Sequence, residues 1–450
     1  MISEPPQLSR GLPVLGHTIE FFAQPLRLLR RAHEEAGEIA RFQVLGRPMV
    51  AMFGPEAHQA FFRAPDSELS PSEAYKMMTP VFGDGLVYDA PPDKTAEQLR
   101  MLMPALRERR IRTYGEVVVQ ETEQSIATWG EHGLVDLVAF VRRLTGFTAS
   151  RCLLGREFRD GMSDEFVALY HNLERGVTPL AYLNPYLPLP AFVRRDRARK
   201  RMVHLIARIV EARHRGGGES EDFLQTLMHA RYADGQALNH HEMTGLLLAA
   251  FFAGHDTSAA TTAWTMIELL RHPLLMARAT AEVERALGHG ATVSHEALMQ
   301  LTFVEHAVKE ALRLHPPLFM LARVARHDFA YKTYRARAGT WIVVSPTVAQ
   351  RIATIFSDPD RFDPDRFAPP REEDRSDFAY ISFGGGRHRC MGSTFALLQV
   401  KAIVAVLLRR YEFELAGDPV VADYGRLVVA PREPCRVRYR RRADDTDAAR

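Results

Sequence analysis

The residues Phe383 to Gly392 read FGGGRHRCMG and set one cysteine, Cys390, where its thiolate could ligate a haem iron. A proximal thiolate pushes electron density onto iron and favours O–O cleavage, so such a chain would activate oxygen rather than carry it. The glycines supply the physical reason. Gly384, Gly385, Gly386 and Gly392 permit backbone with positive φ and a close approach to a flat macrocycle. A turn of this kind can aim N–H groups at the sulfur and tune its potential. His388, flanked by Arg387 and Arg389, offers donors for carboxylates. The competing reading is a Gly-rich turn with an incidental cysteine, and the motifs upstream weigh against it.

The first of these is Ala253-Gly254-His255-Asp256-Thr257-Ser258, inside a long apolar stretch. A mid-helix threonine can bond back to the carbonyl four residues earlier, here that of Ala253, and bend the helix. Gly254 leaves room beside the bend for a small ligand such as O₂. Asp256 and Thr257 would then stand beside it as an acid and an alcohol, the pair needed to relay two protons to a distal oxygen. A cap or kink in a core helix is the structural alternative. The second motif is Glu310-Ala311-Leu312-Arg313, whose charged ends share a helix face. Glu97–Arg100 and Glu282–Arg285 match that spacing too, so the spacing alone selects nothing.

The elements that must position these residues are mostly helices. Apolar periodicity predicts helices over 23–36, 98–131, 162–175, 194–215, 240–271, 275–287, 295–300, 303–314 and 391–410. Strand patterns are few: Ile39–Phe42, Pro48–Met52, Trp341–Ser345, and C-terminal pairs near Leu427–Val429 and Arg436–Tyr439. The expected class is therefore mainly α with small β-sheets. No repeat, linker or composition shift marks a boundary, so residues 1–450 read as one domain, with loosely ordered ends at 1–20 and 443–450.

Composition narrows the function classes. Hydrophobic residues make up 46% and charged residues 25% of the 450, and the net charge is +3, which demands no nucleic acid. Arginine far outnumbers lysine, as in proteins of GC-rich bacteria. Three cysteines, Cys152, Cys390 and Cys435, form neither a disulfide framework nor a C-x-x-C metal site. The N-terminus lacks a signal-peptide pattern. Gly245 to Ile267 is long and apolar, but Asp256 near its centre would be costly in lipid. A soluble chain without a transmembrane anchor is expected.

The cysteine string resembles the haem-binding loop of the cytochrome P-450 superfamily, F-x-x-G-x-[RH]-x-C-x-G, through Phe383, Gly386, His388, Cys390 and Gly392. Ala253 to Thr257 resembles its A-G-x-[DE]-T oxygen-binding motif. Glu310-x-x-Arg313, then Pro359-x-x-Phe362-x-Pro364-x-Arg366-Phe367, resembles the pattern that gives a buried Glu310–Arg313–Arg366 triad locking the loop. The resemblance implies the superfamily's triangular prism, with haem b between a long central helix and the cysteine loop. It also implies a monooxygenase drawing electrons ultimately from NAD(P)H, through a separate ferredoxin or flavodoxin and its reductase. Arg387, Arg389, Lys401, Arg409 and Arg410 would steer that acidic partner. A cytoplasmic, bacterial, monomeric enzyme is expected.

A narrower resemblance, running from about Gly37 to Tyr439, is to bacterial sterol 14α-demethylases. It rests on Tyr75 to Asp89, on Leu169 to Pro188, on Leu314-His315-Pro316-Pro317 and on His388. By that resemblance Tyr75, Arg323 and His388 would bind the haem propionates. Met77, Met78, Phe82, Ala253, Leu318, Met320 and Val428 would line a pocket for a large hydrophobic substrate, a sterol, steroid or triterpenoid. The chain departs from that family in carrying Asp256 where the demethylases carry His, and Ala96, with Lys94 nearby, where a propionate-binding lysine stands. Simple hydroxylation and three-step demethylation both stay open, with peroxide-driven turnover and a non-catalytic sensor as remoter alternatives.

Overall fold

A single helix, His240–Arg271, runs 32 residues through the interior of the computed structural model, which describes residues 3–155, 158–159, 163–216, 222–288 and 293–442. It begins with a capping box, in which the Asn239 side chain and Glu242 satisfy each other's backbone N–H groups. It stops at His272, just ahead of Pro273. Its hydroxyls are absorbed internally. Thr257, Thr261, Thr262 and Thr265 each donate to the carbonyl four residues earlier, at 2.6 to 2.8 Å. The expected bend at Thr257 does not interrupt the helix, although the expected hydrogen bond to Ala253 is there.

Helices Leu137–Ala149, Thr302–Leu314 and Ser393–Arg410 pack around it. Small residues set the distances. A Cβ at Gly254 would lie 2.8 Å from Leu153 and 3.7 Å from Phe395, so the central helix closely approaches the helix that leaves the cysteine loop. The Trp264 ring stacks on His315 at 3.8 Å, and His315 bonds Glu268 at 2.9 Å, which pins the end of Thr302–Leu314 to the central helix.

The main sheet has five strands in the order Ile39–Val44, Arg47–Met52, Trp341–Val344, Leu321–Ala325 and Leu69–Ser70. Only the pair Arg47–Met52 and Trp341–Val344 is parallel. A second sheet places Arg436–Arg441 between His132–Asp136 and Tyr411–Leu415.

Several expectations need correction. The helix expected over 98–131 is two, Pro92–Leu102 and Glu108–Ile126, separated by a 3₁₀ turn containing Pro104, which lacks the N–H a continuing helix needs. Leu137–Ala149 was not expected as a helix, although Asp136 caps it through Val138 and Ala139. The strand expected near Leu427–Val429 is instead the bend between the two-residue strands Ala422–Asp423 and Ala430–Pro431. Residues 3–17, expected to be loose, pack along the sheet: Leu8 is buried, and Ser3 and Gln7 bridge to Tyr334 and Arg41. The tail 443–450 lies outside the described residues.

The triad forms. Glu310 accepts from Arg313 at 2.7 and 2.9 Å and from Arg366 at 2.9 Å, and all three side chains are 0% exposed. The remaining guanidinium donors reach the carbonyls of Gln350, Pro359, Arg361 and Ser357, and the Glu373 carboxylate. Gln350 carries the network onward: it donates to the Arg313 carbonyl and accepts from the Ile381 N–H and the Ser382 hydroxyl, two residues before the Phe383 string. Glu310→Gln leaves two buried guanidiniums short of a countercharge and is expected to lower unfolding free energy by about 3–5 kcal/mol, read by chemical denaturation.

Candidate active site

Cys390 sits just past a 3₁₀ turn, Gly386–His388, and its N–H donates to the Phe383 carbonyl at 2.8 Å. The residue is exposed, yet protein closes round the thiol enough that burial pushes its pKa above the ordinary value, against the Gly392 N–H and the Arg389 charge. The loop's glycines serve a different neighbour from the one expected. A Cβ at Gly386 would stand 2.5 Å from the Phe62 carbonyl oxygen, and one at Gly385 would meet the Phe378 and Phe62 rings at 2.9 to 3.0 Å. They admit the end of helix Pro55–Arg63, not only a macrocycle. On that helix His58 is buried, with Nδ1 held by the Phe378 carbonyl at 3.0 Å.

Of the three expected propionate donors, Arg323 and the His388 turn meet this helix, and Tyr75 joins them through the strand that carries Arg323. Arg323 donates to the carbonyls of Phe61 and Ala64 at 2.8 and 3.2 Å, and burial lowers its guanidinium to about 10. Tyr75 accepts from the Ala322 N–H at 3.3 Å, and its ring meets Tyr88 at 4.9 Å. His388 bonds Asp66 at 2.7 Å. Tyr88 lies close enough to Cys390 for the sulfur's charge to add to the burial that raises its own pKa. Lys94 is excluded from this group, because it pairs with Glu242 at 3.1 Å.

The central helix turns Ala253 outward and Asp256 inward. Ala253 is exposed although most of its helix is buried, and Thr257 is half-buried. Asp256 accepts from the Tyr170 hydroxyl at 2.8 Å, with Arg142 at 3.5 Å and His255 at 3.6 Å from its other oxygen. Arg142 also bonds Glu174 at 2.9 Å, and His255 meets the Thr145 hydroxyl at 3.0 Å. Burial raises the Tyr170 phenol further from ionisation, reinforced by Asp256, and lowers the His255 pKa against the pull of Asp256. Sequence reasoning missed Tyr170, Arg142 and His255. The first two could have been flagged only by knowing that two further helices pack on Asp256.

The apolar set divides. Met77, Met78 and Phe82 are fully buried, and Phe82 meets Phe252 edge-on at 6.1 Å, next to Ala253. Leu318, Met320 and Val428 are half-buried, and the Val429 N–H ties the Val428 bend to the Pro317 carbonyl at 2.8 Å.

These residues fit a haem. The Cys390 thiol has the Gly392 N–H aimed at it, and Phe395, on the helix that follows, approaches Gly254 beside Ala253. Among the described residues no group of three or more His, Cys, Asp or Glu could hold a metal. Cys390 would hold the iron through its sulfur, and Arg323, Tyr75 and His388 would hold the haem carboxylates.

A helical fold with a cysteine just ahead of a helix packed on a long, threonine-rich one has the arrangement a haem-thiolate oxygenase needs. The cytochrome P450 family model matches residues 5–438. The chain is 41% identical over 451 residues to a sterol 14alpha-demethylase of Mycolicibacterium vanbaalenii, covering 99% of each. It is 41% identical to a sterol 14-demethylase of Arabidopsis thaliana, covering 97% of this chain and 91% of the relative. A retinoic acid-bound cyanobacterial P450 superposes with a TM-score of 0.87 at 22% identity, over 98% of this chain and 100% of that one. The chain belongs to the cytochrome P450 family and is a P450 monooxygenase. Among the described residues no helix is long and apolar enough to cross a membrane.

His58 gives the site's support an acid limit. Burial lowers its pKa from 6.5 to about 4, so between those values the unfolded chain takes up a proton that the folded one refuses. Its contribution is intact above pH 6.5 and is lost as pH falls, reaching about 3 kcal/mol by pH 4. His58→Asn is expected to flatten the stability–pH curve over this range, measured by denaturation at stepped pH.

Proposed function

We propose that this chain hydroxylates a large, rigid, apolar substrate of the sterol, steroid or triterpenoid class in a bacterial cytoplasm. The substrate R–H, O₂, two electrons and two protons would become R–OH and water. Haem, when bound, supplies the iron on which oxygen is activated. The observation that carries the reading is Asp256: a carboxylic acid, seated on the Tyr170 hydroxyl, stands next to the Thr257 alcohol. Thr257 spends its proton on the Ala253 carbonyl, so its oxygen stays able to accept one. Asp256 is buried and turned towards Tyr170 and Arg142, which open onto the less buried Glu174 and Glu433. Protons would enter by that side and pass through Asp256 to the Thr257 oxygen. Met77, Met78, Phe82, Ala253, Leu318, Met320 and Val428 would exclude water and orient the apolar body of the substrate.

A second reading is three-step removal of a 14α-methyl group, supported by the full-length similarity to the demethylases. Product analysis after turnover with sterols separates the two. A stable monohydroxylated product supports hydroxylation, whereas formate with a demethylated sterol supports the second reading. Asp256→Asn is expected to cut product formation about 10²-fold while haem content holds. Unchanged product formation would refute the proton role.

Electrons would arrive on the cysteine side from an acidic ferredoxin or flavodoxin. The basic surface expected there is smaller than its sequence implies. Lys401 is 2% exposed and paired with Glu305 at 2.7 Å, and Arg410 pairs with Glu123 at 3.1 Å. Arg387 and Arg389 are exposed and would carry the steering. Partner-dependent reduction should therefore slow as salt rises, and Arg387→Ala/Arg389→Ala should weaken that salt dependence; stopped-flow reduction rates read both.

A further inference from the structure

His388 has a protein partner that its motif does not announce. Its Nε2 lies 2.7 Å from Oδ1 of Asp66, across 322 residues of sequence. Asp66 stands in the turn that follows helix Pro55–Arg63, and that turn is rigidly held. Arg323 clamps the preceding carbonyls of Phe61 and Ala64, and the Glu68 and Leu69 N–H groups both close onto the Pro65 carbonyl at 2.9 Å. The helix end is wedged into the cysteine loop, where the Phe62 carbonyl takes the space a side chain at Gly386 would need. Asp66 is also near enough for its charge to act on Arg323. It thus adjoins two of the three groups that would meet the haem carboxylates.

We propose that Asp66 is a positioning residue for the haem: it accepts from His388 Nε2–H, fixes the ring and so aims the second N–H of the imidazolium, on Nδ1, at a haem carboxylate. An imidazole bonded on one nitrogen presents the other in one direction, which is how outer-shell carboxylates orient histidines elsewhere. A free His388 would have to surrender ring rotation on binding haem, whereas one already tied to a clamped turn surrenders little. The inference rests on His388 facing a haem carboxylate, so the experiment tests both.

Haem transfer from the holoenzyme to apomyoglobin is followed by absorbance for the wild type, Asp66→Ala, His388→Ala and the double variant. Transfer is expected to quicken several-fold in each single variant, and the double variant should match His388→Ala within about twofold, because Asp66 acts through the ring. Multiplying effects, or a wild-type rate in Asp66→Ala beside a fast His388→Ala, would overturn the role of Asp66 alone. A wild-type rate in His388→Ala would overturn the placement of His388 and the inference with it. Asp66→Asn keeps an accepting oxygen and removes the charge. It is expected to hold the transfer rate within about twofold and to move the haem midpoint potential positive, since a negative charge beside the haem edge is lost. An unchanged potential would overturn the proximity of Asp66 to the haem.

Discussion

The buried ion network centred on Glu310 is the constraint on which the rest of the molecule depends. One carboxylate bridges two guanidiniums, Glu373 supplies the second negative charge that balances them, and backbone carbonyls take the remaining donors. Such a network holds only when complete, because each charge removed from water is offset by specific partners rather than by bulk. That requirement is what makes it useful. The carbonyls come from residues 350 to 361, a stretch with little regular structure, and they fix that stretch against helix Thr302–Leu314. Gln350 then hands the order to Ile381 and Ser382. An irregular segment is thereby tied, bond by bond, to the two residues that precede the cysteine string.

The two sides of the site are built on different physics. Beneath, the thiol is raised by burial and rests on backbone, N–H groups and rings packed without room for side chains at Gly385 and Gly386. Above, Asp256 belongs to a cluster of alternating charges in which Tyr170 is its shortest partner. An uncharged hydroxyl holds one carboxylate oxygen, while Arg142 and His255 stand farther off, near the other. The neighbouring His255 is drawn away by Thr145 and stays neutral through burial.

Much of this was legible in the sequence, and what was not has a physical reason. The central helix was legible because it holds a long, mostly apolar run, and in the structure Asn239, Glu242 and Pro273 mark its ends. Glu310, Arg313 and Arg366 were legible because their order along the chain carries the pattern. The helix Leu137–Ala149 was missed because its polar residues, Arg142 and Thr145, face Asp256 and His255 rather than solvent, which blurs the amphipathic stripe. Lys401 was read as a surface charge because spacing on a helix does not say that Glu305 lies across from it. The glycines of the cysteine loop were read correctly as a demand for space, but the occupant, Phe62, comes from the other end of the chain. Local pattern gives such demands; only tertiary packing says what fills them.

That distance has a consequence for how the protein is made. His58 with Phe378 and Asp66 with His388 are contacts across 320 and 322 residues. Ribosomes add about 5–20 residues each second, so the N-terminal half of the cradle waits roughly 20 s to a minute for its counterpart to emerge. The cysteine arrives within the last seventh of the chain. Every nascent fragment short of it therefore lacks the ligand, and any product released early is blind to the cofactor. Loading is thus a checkpoint on reaching Cys390: a nascent chain that stops before it has no sulfur to offer an iron.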